Sequence, residues 1–127
     1  MLIGMNGNEG QIKNFTDLVT WQKGHTLVIT VYKLTKNFPA DERYGLVSQM
    51  RRCSVSITSN IAEGFGRRTG KEKIRFYDIA IGSLFELQNQ VLLSQGLGYL
   101  DESQIALIQP LALEVNRLLN GLIKTAI

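Results

Sequence analysis

LVSQMRRCSVSITSNIAEG, residues 46–64, carries two helical stripes side by side. At about 100° per residue, Leu46, Met50, Cys53, Ile57 and Ile61 fall within one narrow apolar arc. Gln49, Arg52, Ser56, Asn60 and Glu63 lie on a single shoulder beside that arc. A surface helix ordinarily turns its charges straight to water. Here an arginine, an asparagine and a glutamate border the core, where each needs a partner. The stretch therefore predicts a helix packed into a helical bundle with a polar layer along its flank.

The rest of the chain agrees with a bundle. Its 127 residues make one domain, long enough to bury a core. With 44% apolar residues and two prolines it reads as all-α. A single cysteine excludes an internal disulfide and a multi-cysteine metal cluster, and suits a reducing, cytoplasmic setting. No run of about 18 apolar residues predicts a transmembrane helix, so no membrane partner is expected. Residues 1–14, MLIGMNGNEGQIKN, have neither the basic start nor the apolar centre of a signal peptide. They read as a flexible lead-in, with Met5 a second candidate start, and residues 15–127 as the domain.

Four helices follow from the punctuation. The first starts near Thr16 or Asp17 and runs to about Lys36, with Leu18, Trp21, His25, Val28, Ile29 and Tyr32 on one face. Leu27, Val31 and Leu34 make its back apolar as well. Pro39 can open the second helix, roughly residues 40–63, without losing a needed donor. Gly64-Phe65-Gly66 closes it. Thr69 and Glu72 have capping-box spacing and open the third, which runs to about Gln95. The fourth follows Gly96, Gly98 and Asp101 to about Thr125, with Ile105, Ile108, Ala112, Val115, Leu119 and Leu122 as its stripe and Pro110 expected to kink it. Short connections suit antiparallel neighbours, so the expected architecture is an up-down-up-down four-helix bundle. The third helix is apolar on nearly every side. Such a helix must be covered on nearly every side, which predicts a homo-oligomer with the third helix and the back of the first as contact surfaces.

Chemistry is sparse. Ser83, Glu86 and Gln90 form a second polar shoulder on the third helix, and Arg52 with Glu86, or Asn60 with Ser83 or Gln90, are plausible pairings. These five residues, with Gln49, Ser56 and Glu63, read as a structural network fixing helix register. Breaking a buried ion pair costs about 3–5 kcal/mol, so Glu86→Ala tests that layer. A di-iron site needs Glu-x-x-His motifs, and the one histidine, His25, has no such acidic neighbour and reads as a core residue; no metal and no cofactor is expected. Cys53 reads as packing, and no catalytic group is assigned.

Charge is local. Residues 51–75 hold seven basic against two acidic side chains, a net +5 in a chain whose total is +3. GFGRRTGK fails as a P-loop, because Phe65 stands where its first glycine belongs and Glu72 where Ser or Thr belongs. Free amides at a helix start, ringed by Arg67, Arg68, Lys71, Lys73 and Arg75, still make a generic anion site, with Phe65 a stacking group.

FTDLVTWQKG, FPADERYGL, SQMRRCSVSITSNIAEGFGR, RFYDIAIGSLFEL and LGYL together resemble, over roughly residues 15–125, the four helix bundle protein family of the 23S rRNA-intervening-sequence type. The motif positions matched are Tyr44, Gly45, Gln49, Arg51, Arg52, Ser56, Asn60, Glu63, Gly64, Gly66 and Arg67, with Ser83 and Glu86; Cys53 stands where the family typically has alanine. The resemblance implies a ring-like homopentamer, no known enzymatic activity, and nucleic-acid binding as the usual suggestion. A branch similar in fold is the accessory variability determinant of diversity-generating retroelements, whose basic barrel binds a reverse transcriptase and nucleic acid. The expectation is a non-enzymatic oligomer that binds RNA or DNA through Arg51, Arg67, Arg68, Lys71, Lys73 and Arg75. The alternative is an adaptor for a protein partner.

Overall fold

Capping residues set the element order. The computed structural model describes residues 11–127, so most of the expected lead-in, residues 1–10, lies outside the described residues. Asn14 caps a 3-10 turn at Phe15–Asp17, and the Asp17 carboxylate accepts from the Lys13 and Asn14 amides at 3.0 and 3.1 Å. Four helices follow: α1, Val19–Thr35; α2, Leu46–Phe65; α3, Gly70–Gly96; and α4, Glu102–Ala126.

The continuous second helix expected from about residue 40 is interrupted. Pro39 precedes a 3-10 turn at Ala40–Glu42, and the backbone leaves helical geometry at Gly45. Glu42 ties this corner together. Its carboxylate accepts from the Leu46 amide at 3.1 Å, which caps α2, and from the Tyr99 hydroxyl at 3.0 Å, which brings in the α3–α4 turn. Thr69 accepts from the Glu72 amide at 3.1 Å to start α3. Asp101 and Gln104 form a reciprocal capping box at the start of α4. Pro110 lies inside α4 on an exposed face, where the carbonyl it leaves without a donor can meet water.

α1 packs on α2 and α4, and α3 packs on the same two helices, so α1 and α3 stand at diagonal corners. The α2–α3 interface is the most extensive. Contacts Ser56–Ser83 and Met50–Ser94 run in opposite sequence directions, so α2 and α3 are antiparallel. The predicted stripe of α2 is buried throughout, with Met50, Ile57 and Ile61 fully so. It meets Ala80, Leu84, Leu87 and Val91 of α3, while α4 contributes Ile108, Ala112, Val115 and Leu119 to the same core.

α1 is turned part-way from its sequence reading, with Leu18 buried and Trp21 packed on the core as expected. Its buried face is Thr20, Gly24, Leu27, Val31 and Thr35, which includes much of the expected back, whereas Ile29 and Tyr32 are exposed. Small side chains decide this. A Cβ on Gly24 would stand 3.1 Å from Thr58 Cγ2, so the face carrying the glycine is the one that lets the α1 and α2 backbones approach. His25 is exposed and stacks on Trp21 with ring centroids 4.9 Å apart; it is not a core residue.

Gly64 makes the same kind of close approach at the end of α2. A Cβ there would lie 2.6 Å from Cε1 of Tyr77, whose ring is buried. Gly64→Ala gains about 1 kcal/mol of helix propensity but forces that ring aside, a cost of about 1–3 kcal/mol. We expect a net loss in chemical denaturation; a variant more stable than the parent would contradict the contact.

Candidate functional site

The loop after α2 and the first two turns of α3 carry five cations, and the structure divides them. The Arg67 guanidinium sits 2.9 Å from Glu63 and 4.4 Å over the Phe76 ring. Lys73 donates to the carbonyls of Phe65 at 2.7 Å and Gly64 at 3.4 Å, so it caps the C-terminus of α2. Both are committed to closing the loop. Arg68, Lys71 and Arg75 are exposed and make no side-chain hydrogen bond or ion pair among the described residues. Lys71 and Arg75 share a shallow depression with Glu72 and Asp78, so that hollow is balanced in charge and the loop's positive surface is open. Phe65 is half-buried, packed on the core beneath Lys73, and is not free to stack as its sequence position suggested.

Arg51 does not join this group. Its Nε donates to Thr35 Oγ1 at 3.0 Å, its Nη2 to the Tyr32 carbonyl at 3.3 Å, and its guanidinium lies 4.6 Å over the Tyr32 ring. It braces the C-terminus of α1 at the opposite end of the bundle from the loop. Sequence reasoning also missed Lys36 and Arg43, which line one pocket with Arg51. Their separation in sequence hid them, since only the reversal between α1 and α2 brings the three together.

The two polar shoulders meet at the α2–α3 seam, but as an open groove. Gln49, Arg52, Cys53, Ser56, Ser83 and Glu86 line a cavity of about 430 Å3. Ser56 and Ser83 share a hydrogen bond of 2.8 Å, and the Cys53 thiol donates to the Ser83 carbonyl at 2.9 Å. Asn60 donates to the Ser56 carbonyl at 2.8 Å, not to Ser83 or Gln90. Arg52 and Glu86 are exposed and form no ion pair among the described residues, and Glu63 pairs outward with Arg67. Gln90 is buried, with its amide oxygen unpartnered. Burial first, and then the nearby Glu86 carboxylate, push the Cys53 thiol up to about 12, which leaves it protonated and unreactive near neutral pH. In the single chain, Glu86→Ala therefore shifts stability by less than about 0.5 kcal/mol. A larger loss in thermal melts would mean that another molecule covers the groove.

Among the described residues no group of three or more His, Cys, Asp or Glu side chains is placed to hold a metal ion. No described helix is long and apolar enough to cross a membrane.

A family model described as 23S rRNA-intervening sequence protein matches residues 16–121, which take in α1, α2, α3 and most of α4. The chain belongs to this family. A crystal structure of an S23 ribosomal protein family member of unknown function, from Bacteroides thetaiotaomicron VPI-5482, is similar with a TM-score of 0.77 and 23% identity. The likeness covers 84% of this chain and 96% of that one, and it establishes the four-helix fold. Comparison with curated proteins gives no match. The description of the 23S rRNA-intervening sequence protein family names no reaction.

Proposed function

We propose that this 23S rRNA-intervening sequence protein is a non-enzymatic, cytoplasmic homo-oligomer, a ring-like pentamer, that binds RNA or DNA electrostatically. The observation that carries the reading is the trio Arg68, Lys71 and Arg75, exposed and unpaired on the α2–α3 loop and the first two turns of α3, beside a loop that Arg67 and Lys73 hold closed. A positioned set of free cations neutralises phosphates and releases counterions without reading base sequence. The start of α3 adds the Gly70 and Lys71 amides, which have no acceptor within the helix, while Thr69 takes that of Glu72.

Oligomerisation is supported by apolar side chains left on α3. Phe85, Leu92, Leu93 and Leu97 are each at least half exposed, and Ile79 is 43% exposed. Such patches mark interaction surfaces, and a ring would place several loops on one assembly. The same α3 residues favour the second reading, an adaptor for a protein partner such as a polymerase.

The test is binding of purified protein to labelled single- and double-stranded RNA and DNA at low salt, with light-scattering mass on the same sample. Binding to all four by an oligomer of about five chains supports the proposal. Absence of binding to any of them overturns it and leaves the adaptor reading.

A further inference from the structure

We infer that the α1–α2 end of the bundle carries a separate binding site for a small phosphomonoester bearing an apolar ring. Its basis is a pocket of about 310 Å3 whose charged lining is Lys36, Arg43 and Arg51, with no carboxylate. Phe38, Pro39 and Val47 supply an apolar wall beside these cations. The contrast with the α2–α3 loop is direct, since the hollow there sets two cations against two carboxylates. Two acidic residues, Asp41 and Glu42, lie in the pocket's turn and neither lines it; the Glu42 carboxylate is engaged by the Leu46 amide and the Tyr99 hydroxyl, and Asp41 is exposed.

Arg51 is the preorganised element. Thr35, the Tyr32 carbonyl and the Tyr32 ring fix its guanidinium before any ligand arrives, so little side-chain freedom is lost on binding. Lys36 and Arg43 are exposed and make no side-chain hydrogen bond or ion pair among the described residues, and the Arg43 guanidinium lies 5.9 Å from the centre of the solvent-exposed Tyr44 ring, so both can close on an anion. A phosphomonoester carries a charge of about −1.5 to −2 near neutral pH, which three cations match better than they match a single carboxylate. The volume is at the low end of the roughly 300–1,000 Å3 of ligand pockets. That admits one ring with its phosphate. The site is distinct from the proposed nucleic-acid surface, because the part of α2 from Arg51 to Phe65 puts about 20 Å between the two.

The experiment is an NMR titration of the protein with phenyl phosphate, inorganic phosphate and benzoate in low salt. Phenyl phosphate is expected to saturate and to shift the amides of residues 35–51. Inorganic phosphate and benzoate should each bind about tenfold or more weakly, having lost the ring or a charge. Lys36→Gln with Arg43→Gln should weaken phenyl phosphate by about thirtyfold or more with no change in melting temperature. Arg68→Glu with Lys71→Glu and Arg75→Glu should leave phenyl phosphate binding unchanged, which separates this site from the loop. Absence of saturation at about 10 mM, where even millimolar affinity registers, overturns the inference. So does equal binding of all three probes, or loss of binding in the loop variant with retention in the Lys36/Arg43 variant.

Discussion

Replacing Arg68, Lys71 and Arg75 together by glutamate is expected to lower affinity for RNA or DNA by about a thousandfold or more at low salt, with the melting temperature unchanged. Each hydrogen bond from a cation to a phosphate is worth about 1.5–3 kcal/mol, and a factor of ten is about 1.4 kcal/mol. Three such contacts are lost and three repulsive charges appear in their place. The fold does not feel the change, because all three side chains are exposed and unpaired, and surface substitutions of that kind stay within about 0.5 kcal/mol. Arg67 and Lys73 are kept because they close the loop, through Glu63 and the α2 carbonyls. Filter binding or fluorescence anisotropy, with a thermal melt on the same preparation, reads both halves. Retained affinity would move the contact surface elsewhere.

Ile57→Ala is expected to cost about 2–5 kcal/mol, the range for removing a fully buried aliphatic side chain and leaving a cavity. Ile57 has no exposed surface and sits mid-way along α2. The native domain is held by only about 5–15 kcal/mol in total, so a fall in melting temperature of roughly 10 °C or more should accompany the substitution. A loss below about 1 kcal/mol in urea titration would mean that the α2 stripe is not the centre of the core.

The elements that were legible are those whose large apolar residues repeat at helical spacing. Leu46, Met50, Cys53, Ile57 and Ile61 were assigned to the core from the sequence and are buried. Of the α4 stripe that the same spacing gives, Ile108, Ala112, Val115 and Leu119 are buried, and Ile105 and Leu122 at its ends are half-buried. α1 misled because Ile29 and Tyr32 lie on the outward side, while Thr20, Gly24 and Thr35 complete the inward one. Periodicity weighs size and hydropathy; it does not see that a missing Cβ permits close backbone approach. The break at Gly45 was hidden for a related reason, since Glu42 caps α2 from a residue the sequence placed inside it.

The candidate site was less legible than the fold. A charge count treats Arg67, Arg68, Lys71, Lys73 and Arg75 alike, yet two of them hold the loop and three remain free. Arg51, adjacent in sequence to Arg52, points its hydrogen bonds into the end of α1. Arg52 and Glu86 were matched by opposite charge alone; the structure instead links the seam through Ser56 and Ser83 and leaves the charged pair on an open groove. Complementary chemistry across two helices fixes neither side-chain reach nor rotamer, and those decide which pairs form.

The central claim is that free cations of the α2–α3 loop and the start of α3 bind phosphates, and the slope of log affinity against log salt tests it most directly. Each neutralised phosphate of duplex DNA contributes about −0.9 to that slope. Three free cations per chain therefore predict a slope of about −2.7 or steeper, made shallower by about 1 for each of Arg68, Lys71 and Arg75 that is removed singly. A slope near zero, or one that these three substitutions leave unchanged, would contradict the account.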